Sequence, residues 1–154
     1  MHFFADSGFI IGLIHNRDDH HDSASAIWKT LIDNEIISGY GDLWITNYII
    51  VEIFHNLQKN IQFRDTFKHY TELQNCHFYT IKKGQIDQAI HTKLRPFCNR
   101  NTGNPAIGLV DATSLHVMDL VKVSYILSFD SGFDHYPLIQ RIGSVRDVEQ
   151  KISV

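Results

Sequence analysis

Four acids of this 154-residue chain stand where a short apolar run gives way to a turn or a helix. Asp6 follows Phe3-Phe4-Ala5, and Asp130 follows Ile126-Leu127-Ser128-Phe129. Glu52 lies between Ile49-Ile50-Val51 and Ile53-Phe54, and Asp111 between Gly108-Leu109-Val110 and Ala112. Carboxylates in apolar settings are rarely buried without partners. When they gather they repel one another, and a bound cation relieves the repulsion. An all-oxygen acidic set suits Mg²⁺ or Mn²⁺, with water filling the remaining positions. One or two such ions, about 3.5–4 Å apart if two, support attack of water on a phosphate ester.

Each acid also has an ordinary use. Asp6 is a fair cap for the helix that follows it. Glu52 reads equally as an exposed helix residue. Asp111 suits the positive end of a helix dipole. Asp130-Ser131-Gly132 is turn chemistry. Singly each signal is weak; their weight comes from agreeing on one place in a fold.

The elements that would bring them together alternate. His2 to Asp6 reads as a buried strand ending in an acid, and Ser7 to His15 as a buried helix. Asp22 or Ser23 is the expected cap of a helix running to about Asn34, with Ala24, Ile27, Trp28, Leu31 and Ile32 on one face. Leu43 to Thr46 is a second strand, with Asn47 capping a helix over Tyr48 to Leu57. Further helices are expected from about Gln62 to Leu73, from Gly84 to about Leu94 before Pro96, and over Ile107 to Lys122. Strands are expected at His77 to Ile81, Val123 to Phe129 and Gln140 to Ile142, and a closing helix at Val145 to Ile152. This alternation predicts a single α/β domain over residues 1–154, a three-layer sandwich whose largely parallel sheet of four to five strands is flanked by helices. In such sheets ligands bind outside the carboxyl ends of the strands. Asp6 and Asp130 open onto that edge, and helix starts carrying Glu52 and Asp111 lie there too.

Composition narrows the class. Hydrophobic residues are 44% and charged residues 20%, a globular balance. No run of about 18 apolar residues reads as a membrane span. The start lacks a basic region ahead of its apolar stretch, which argues against a signal peptide. Cys76 and Cys98 are too few for a disulfide framework and read as reduced thiols, so a cytoplasmic protein is expected. The net charge of −3 argues against tight, non-specific duplex binding. Asp18-Asp19-His20-His21-Asp22 resembles a metal loop by composition, yet Asp and Ser are normal before a helix. The 10 histidines show no zinc spacing. Lys82-Lys83 and Lys93, Arg95 and Arg100 suit either phosphate contact or plain solvation, and Trp28 and Trp44 suit core or a partner surface.

The segments carrying the acids resemble PIN-domain ribonucleases, especially VapC-type toxins of toxin–antitoxin pairs, over nearly the whole length. Phe3-Phe4-Ala5-Asp6-Ser7 is similar to that family's first strand and acid, and Asp18 to Ala24 to the loop opening its second helix. Thr46 to Glu52 and Leu109-Val110-Asp111-Ala112 are similar to the second and third acidic segments. Ile126 to Asp134 is similar to the closing motif, with a small hydroxyl two before the acid and an aromatic three after it. The resemblance implies a Mg²⁺- or Mn²⁺-dependent endoribonuclease that cuts tRNA or rRNA, is blocked by a small antitoxin, and forms homodimers. Asp6, Asp111 and Asp130 are then expected as direct ligands. Glu52 ligates through water or orients the attacking water. Ser128 supports the ligands from behind. Asp134 is either a fifth acid or a surface acid beside Phe133.

Four alternatives remain to be set against this. One is a non-catalytic PIN-like protein that binds RNA or a partner, and another is a housekeeping nuclease of RNA maturation. An aspartyl phosphatase wants Asp-x-Asp after the first strand, where this chain has Asp6-Ser7-Gly8. A phosphoacceptor receiver domain wants a lysine at a late strand end, which Tyr125 to Asp130 lacks.

Overall fold

The computed structural model describes residues 1–61 and 63–152; the expected helix start at Gln62 lies outside them. Five strands form one parallel sheet in the order β3-β2-β1-β4-β5. They are β1 (Phe3–Ala5), β2 (Leu43–Thr46), β3 (His77–Tyr79), β4 (Tyr125–Leu127) and β5 (Gln140–Ile142). The first strand to be made is the middle one, which is why it is apolar throughout. Phe3, Phe4 and Ala5 are wholly buried, as a strand covered on both faces must be. Burying a phenylalanine side chain is worth about 1.5–3 kcal/mol, so β1 anchors the core.

Helices α1 (Ser7–Ile14), α2 (His21–Asp33), α3 (Asn47–Asn60) and α4 (Phe63–Leu73) connect β1 to β2 to β3. Helices α5 (Lys83–Ala89) and α6 (Leu109–Val121) return the chain to β4, and α7 (Val145–Lys151) follows β5. Strand order runs one way from β1 to β3, then jumps back to β4. Right-handed crossovers therefore put α1 to α4 on one face and α5 and α6 on the other. The packing agrees: α1 lies against α2 and α3, α3 against α4, α2 against α7, and α5 against α6. The expected parallel α/β sandwich is what forms, with five strands. Among the described residues no helix is long and apolar enough to cross a membrane.

Several boundaries differ from expectation, each for a local reason. The cap of α3 is Thr46, whose hydroxyl accepts from Ile49 N at 3.2 Å. Asn47 instead accepts from Ile81 N at 2.8 Å, which ties Ile81 to the start of α3 and leaves β3 ending at Tyr79. Neither Asp22 nor Ser23 caps α2; the cap position is His20, which has no side-chain capping bond. The helix before Pro96 ends early, at Ala89, and continues as a π turn (Ile90–Leu94) and a 3-10 turn (Arg95–Phe97) that holds the proline. Strand β4 is shorter than Val123–Phe129 because Val123 N bonds back to Met118 O, closing α6 over the left-handed Lys122 (φ 59°).

Candidate metal centre at the strand ends

The sheet order reverses between β1 and β4, and that is where a doubly wound sheet opens a crevice. Asp6 leaves β1 at this point, with its N–H donating to Leu127 O at 3.1 Å. Its carboxylate is held twice. Oδ1 accepts from Ser7 N at 2.7 Å, capping α1, and Oδ2 accepts from the Ser128 hydroxyl at 2.9 Å. Ser128, wholly buried, also accepts from Asp130 N at 3.0 Å. One hydroxyl thus fixes the first acid's side chain and the last acid's backbone.

Asp130 caps a 3-10 turn (Ser131–His135), its Oδ1 accepting from Gly132 N at 2.7 Å. A Cβ on Gly132 would lie 2.5 Å from Ala106 O and 2.7 Å from Ile107 Cγ2. Only glycine lets this turn close against the loop that leads to α6. At the head of α6, Asp111 Oδ2 accepts from Gly108 N at 3.1 Å. Glu52 is half-buried on α3, and no hydrogen bond to its carboxylate forms among the described residues.

Electrostatics joins the four. Asp6, 9% exposed, is pushed up to about 6, first by burial and then by the charges of Glu52 and Asp130, against the lowering bonds from Ser128 and Ser7. Asp111 is pushed up to about 7 by burial, then by Asp6, Asp130 and Glu52, against its Gly108 bond. Desolvated acids of like charge favour the neutral form. Among the described residues, no three His, Cys, Asp or Glu side chains stand as a ready cage for an ion. Three of the carboxylates instead accept from nearby backbone amides: Asp6 from Ser7, Asp130 from Gly132 and Asp111 from Gly108.

Asp134 does not join the group. Arg141 takes both its oxygens, Nε to Oδ1 at 2.9 Å and Nη2 to Oδ2 at 2.8 Å, and holds its carboxyl below the usual range. The sequence gives no sign of Arg141, which also donates from Nη1 to Ser128 O at 3.4 Å. The Asp18–Asp22 segment does local work: Asp18 Oδ1 accepts from His20 N at 2.9 Å and His21 Nδ1 donates to Gly12 O at 2.8 Å. His20 stacks on Phe129, between Ser128 and Asp130 in the chain, at 4.3 Å and 9°. Of the basic candidates, Lys93 is paired with Asp119. Cys76 and Cys98 are both free thiols.

With the geometry in place, known structures can be compared. VapC20 of Mycobacterium tuberculosis, described as a sarcin-ricin loop cleaving toxin, superposes with a TM-score of 0.66 at 19% identity, covering 88% of this chain and 95% of that one. The chain has a PIN-like fold of the VapC type. A chain of a toxin–antitoxin complex from Klebsiella pneumoniae has the same fold, with a TM-score of 0.62 at 13% identity over 89% of this chain and 94% of that one. No family model matches the sequence, and no curated protein matches it. At these identities the likeness is one of fold, and in this fold the reversal point of the sheet lies between the strands that Asp6 and Asp130 follow.

Proposed function

We propose that this protein is a metal-dependent endoribonuclease that hydrolyses RNA phosphodiester bonds, acting as the toxin of a toxin–antitoxin pair. The observation that carries the reading is that Asp6, where the sheet order reverses, and Asp111, at the head of α6, both feel the charges of Glu52 and Asp130. Four separate segments bring acids there, and desolvating Asp6 and Asp111 near the charges of Glu52 and Asp130 is unfavourable unless a cation offsets them. The fold supports the RNA and antitoxin parts, because one structure of this fold is described as an RNA-loop-cleaving toxin and another as part of a toxin–antitoxin complex. The reading extends to a cytoplasmic protein, a homodimer, and tRNA or rRNA as substrate.

The donor set fits a hard cation, one or two ions of Mg²⁺ or Mn²⁺: it is all oxygen, with no sulfur or imidazole among the four. Asp6, Asp111 and Asp130 would hold it. When bound, it supplies Lewis-acid chemistry at a phosphate ester. The chain's own groups do the rest. Ser7 N and the Ser128 hydroxyl fix the rotamer of Asp6. The Gly132 and Gly108 amides each hold one oxygen of Asp130 and Asp111, and the other oxygen of each would ligate. Glu52, whose carboxylate accepts no hydrogen bond among the described residues, would accept a proton from the attacking water.

Incubating purified protein with total RNA and Mg²⁺ or Mn²⁺, then mapping the cleaved ends, tests this. Metal-dependent cuts that vanish in Asp111→Asn are expected. RNA left intact with either ion, or cut by the variant at the wild-type rate, overturns the assignment. Heat released on titrating Mn²⁺ into the protein separates an enzyme from a binding-only relative. A short neighbouring reading frame encoding a DNA-binding antitoxin separates a toxin from an RNA-maturation enzyme.

A further inference from the structure

Beside the acids lies a cavity of about 460 Å³ that none of the foregoing uses. Its walls include Phe97, Asn99, Thr102, Asn104, Pro105 and His135. Two contacts fix it to the metal centre. Ala106, in its wall, is the residue whose carbonyl excludes a side chain at Gly132, two residues past Asp130. His135 ends the turn that Asp130 caps, and its Nδ1 donates to Gly132 O at 3.1 Å.

The lining separates into groups that build the loop and groups that build nothing. Asn99 Oδ1 accepts from Asn101 N at 2.8 Å and Thr102 N at 3.3 Å, and Thr102 Oγ1 accepts from Asn104 N at 3.3 Å. Asn99 N donates to Asn104 O at 2.7 Å, so the backbone closes on itself. Among the described residues these bonds leave two donors without an acceptor, Asn99 Nδ2 and the Thr102 hydroxyl hydrogen. The Asn104 side-chain amide, donor and acceptor both, makes no bond among the described residues. With its Nδ1–H given to Gly132, His135 presents Nε2 as an acceptor. Phe97, packed on Tyr136 at 4.3 Å, and Pro105 supply apolar walls.

The volume lies within the roughly 300–1,000 Å³ typical of small-molecule sites. That admits a single nucleotide and excludes a duplex. Amide donors and acceptors lining a space that also has an aromatic wall are what an unstacked base requires, because its edge is read by hydrogen bonds and its face by stacking. Arg100, exposed beside Asn99 and in no ion pair among the described residues, suits the phosphate of such a nucleotide.

We propose that this cavity receives one unpaired base of the RNA, next to the phosphate presented to the acids, and so sets which bond is cut. The proposal rests on the nuclease reading for its substrate. It assigns the sequence preference to the 99–105 loop rather than to the acid site.

Asn104→Ala is the clean probe, since the Asn104 backbone, and not its side chain, holds the loop. Short single-stranded RNAs that the protein binds, each with one abasic position, are compared by fluorescence anisotropy in EDTA, for wild type and for Asn104→Ala. One abasic position is expected to weaken wild-type binding by about tenfold, as loss of a stacked base does. The variant is expected to bind the intact RNA with that same loss, and to be indifferent to the abasic change there. If the two losses add at every position, or if no position matters, the pocket takes no base. Restoring Mn²⁺ to the same complexes tests the nuclease reading on its own: RNA that binds with this pattern and stays uncut overturns the chemistry and leaves the base pocket standing. An antitoxin segment as the true occupant would show as competition with RNA that Asn104→Ala abolishes while RNA binding is untouched, and that overturns the proposal.

Discussion

Ser128 donates its hydroxyl hydrogen to Asp6 Oδ2 at 2.9 Å across 122 positions of sequence, and the same oxygen accepts from Asp130 N at 3.0 Å. The acid site is therefore braced through one wholly buried atom. Ser128→Ala removes a donor and an acceptor and leaves Asp130 N and Asp6 Oδ2 short of a partner. The expected loss of stability is about 1–3 kcal/mol, and RNA cleavage should fall about 10–100-fold, as for other supports of metal ligands. Urea denaturation and initial cleavage rates check both. Unchanged values in both would mean that the hydroxyl is dispensable.

Asp111→Asn keeps the shape and, through its side-chain oxygen, the bond from Gly108 N. The folded state should persist by circular dichroism, while metal-dependent cleavage drops by more than about 100-fold, beyond what loss of a supporting group causes. Without metal the variant should be at least as stable as the wild type near neutral pH, because one of four repelling charges is gone. A variant that is both inactive and unfolded would instead make Asp111 a structural residue.

The same repulsion sets a pH dependence. Asp6 at about 6 and Asp111 at about 7 lie above the ordinary 3.8. Between about pH 4 and pH 7 the folded chain thus binds more protons than the unfolded one, so stability in EDTA falls as pH rises through that window. The penalty is complete above the folded values and absent below about pH 4. For Asp6 it amounts to roughly 3 kcal/mol. Mg²⁺ or Mn²⁺ should stabilise the protein most at the alkaline end. Melting curves of wild type and Asp6→Asn at several pH values, with and without metal, would reveal this; the same pH slope in both proteins would refute it.

Asp134 should matter little. Its carboxylate is 47% exposed and occupied by Arg141, and a surface pair of this kind is worth about 0–1 kcal/mol. Asp134→Asn is expected to cut RNA within about threefold of wild type. A loss comparable to that of Asp111→Asn would return it to the ligand set.

Gly132→Ala puts a methyl group 2.5 Å from the Ala106 carbonyl. Relief requires either the turn after Asp130 or the loop before α6 to shift, at a cost of about 1–3 kcal/mol. Cleavage should fall with it, and a crystal structure of the variant should show Asp130 displaced. A variant that retains both stability and rate would show the two segments to be loosely held.

The sheet was legible in the sequence because central parallel strands must be apolar throughout, and Phe3-Phe4-Ala5 and Tyr125-Ile126-Leu127 are such runs. The strand-end positions of Asp6 and Asp130 were legible because each closely follows such a run, and they lie just past β1 and β4. What was not legible depends on long-range partners. Asn47 looks like a cap, yet its amide serves Ile81, 34 residues away, and Thr46 caps in its place. Asp134 reads as one more acid of a motif until Arg141 is found beside it. The cavity lined by Asn99, Asn104 and His135 joins two segments about 30 residues apart that share no pattern. His20 against Phe129 is a pairing of the same kind.

One consequence of the strand order concerns synthesis. β1, made first, sits at the centre and needs β4 as its neighbour before its second edge is paired. Asp6, Glu52 and Asp111 emerge from a ribosome before Ser128 and Asp130; β1 can pair with β2 at once, but the Ser128 bond that fixes Asp6 forms only when β4 docks. A partly translated chain would carry most of the acids with no crevice to hold them. On the proposed reading, the acid set is complete only once β4 has been made and has docked, and an inhibitor already present has that interval in which to bind.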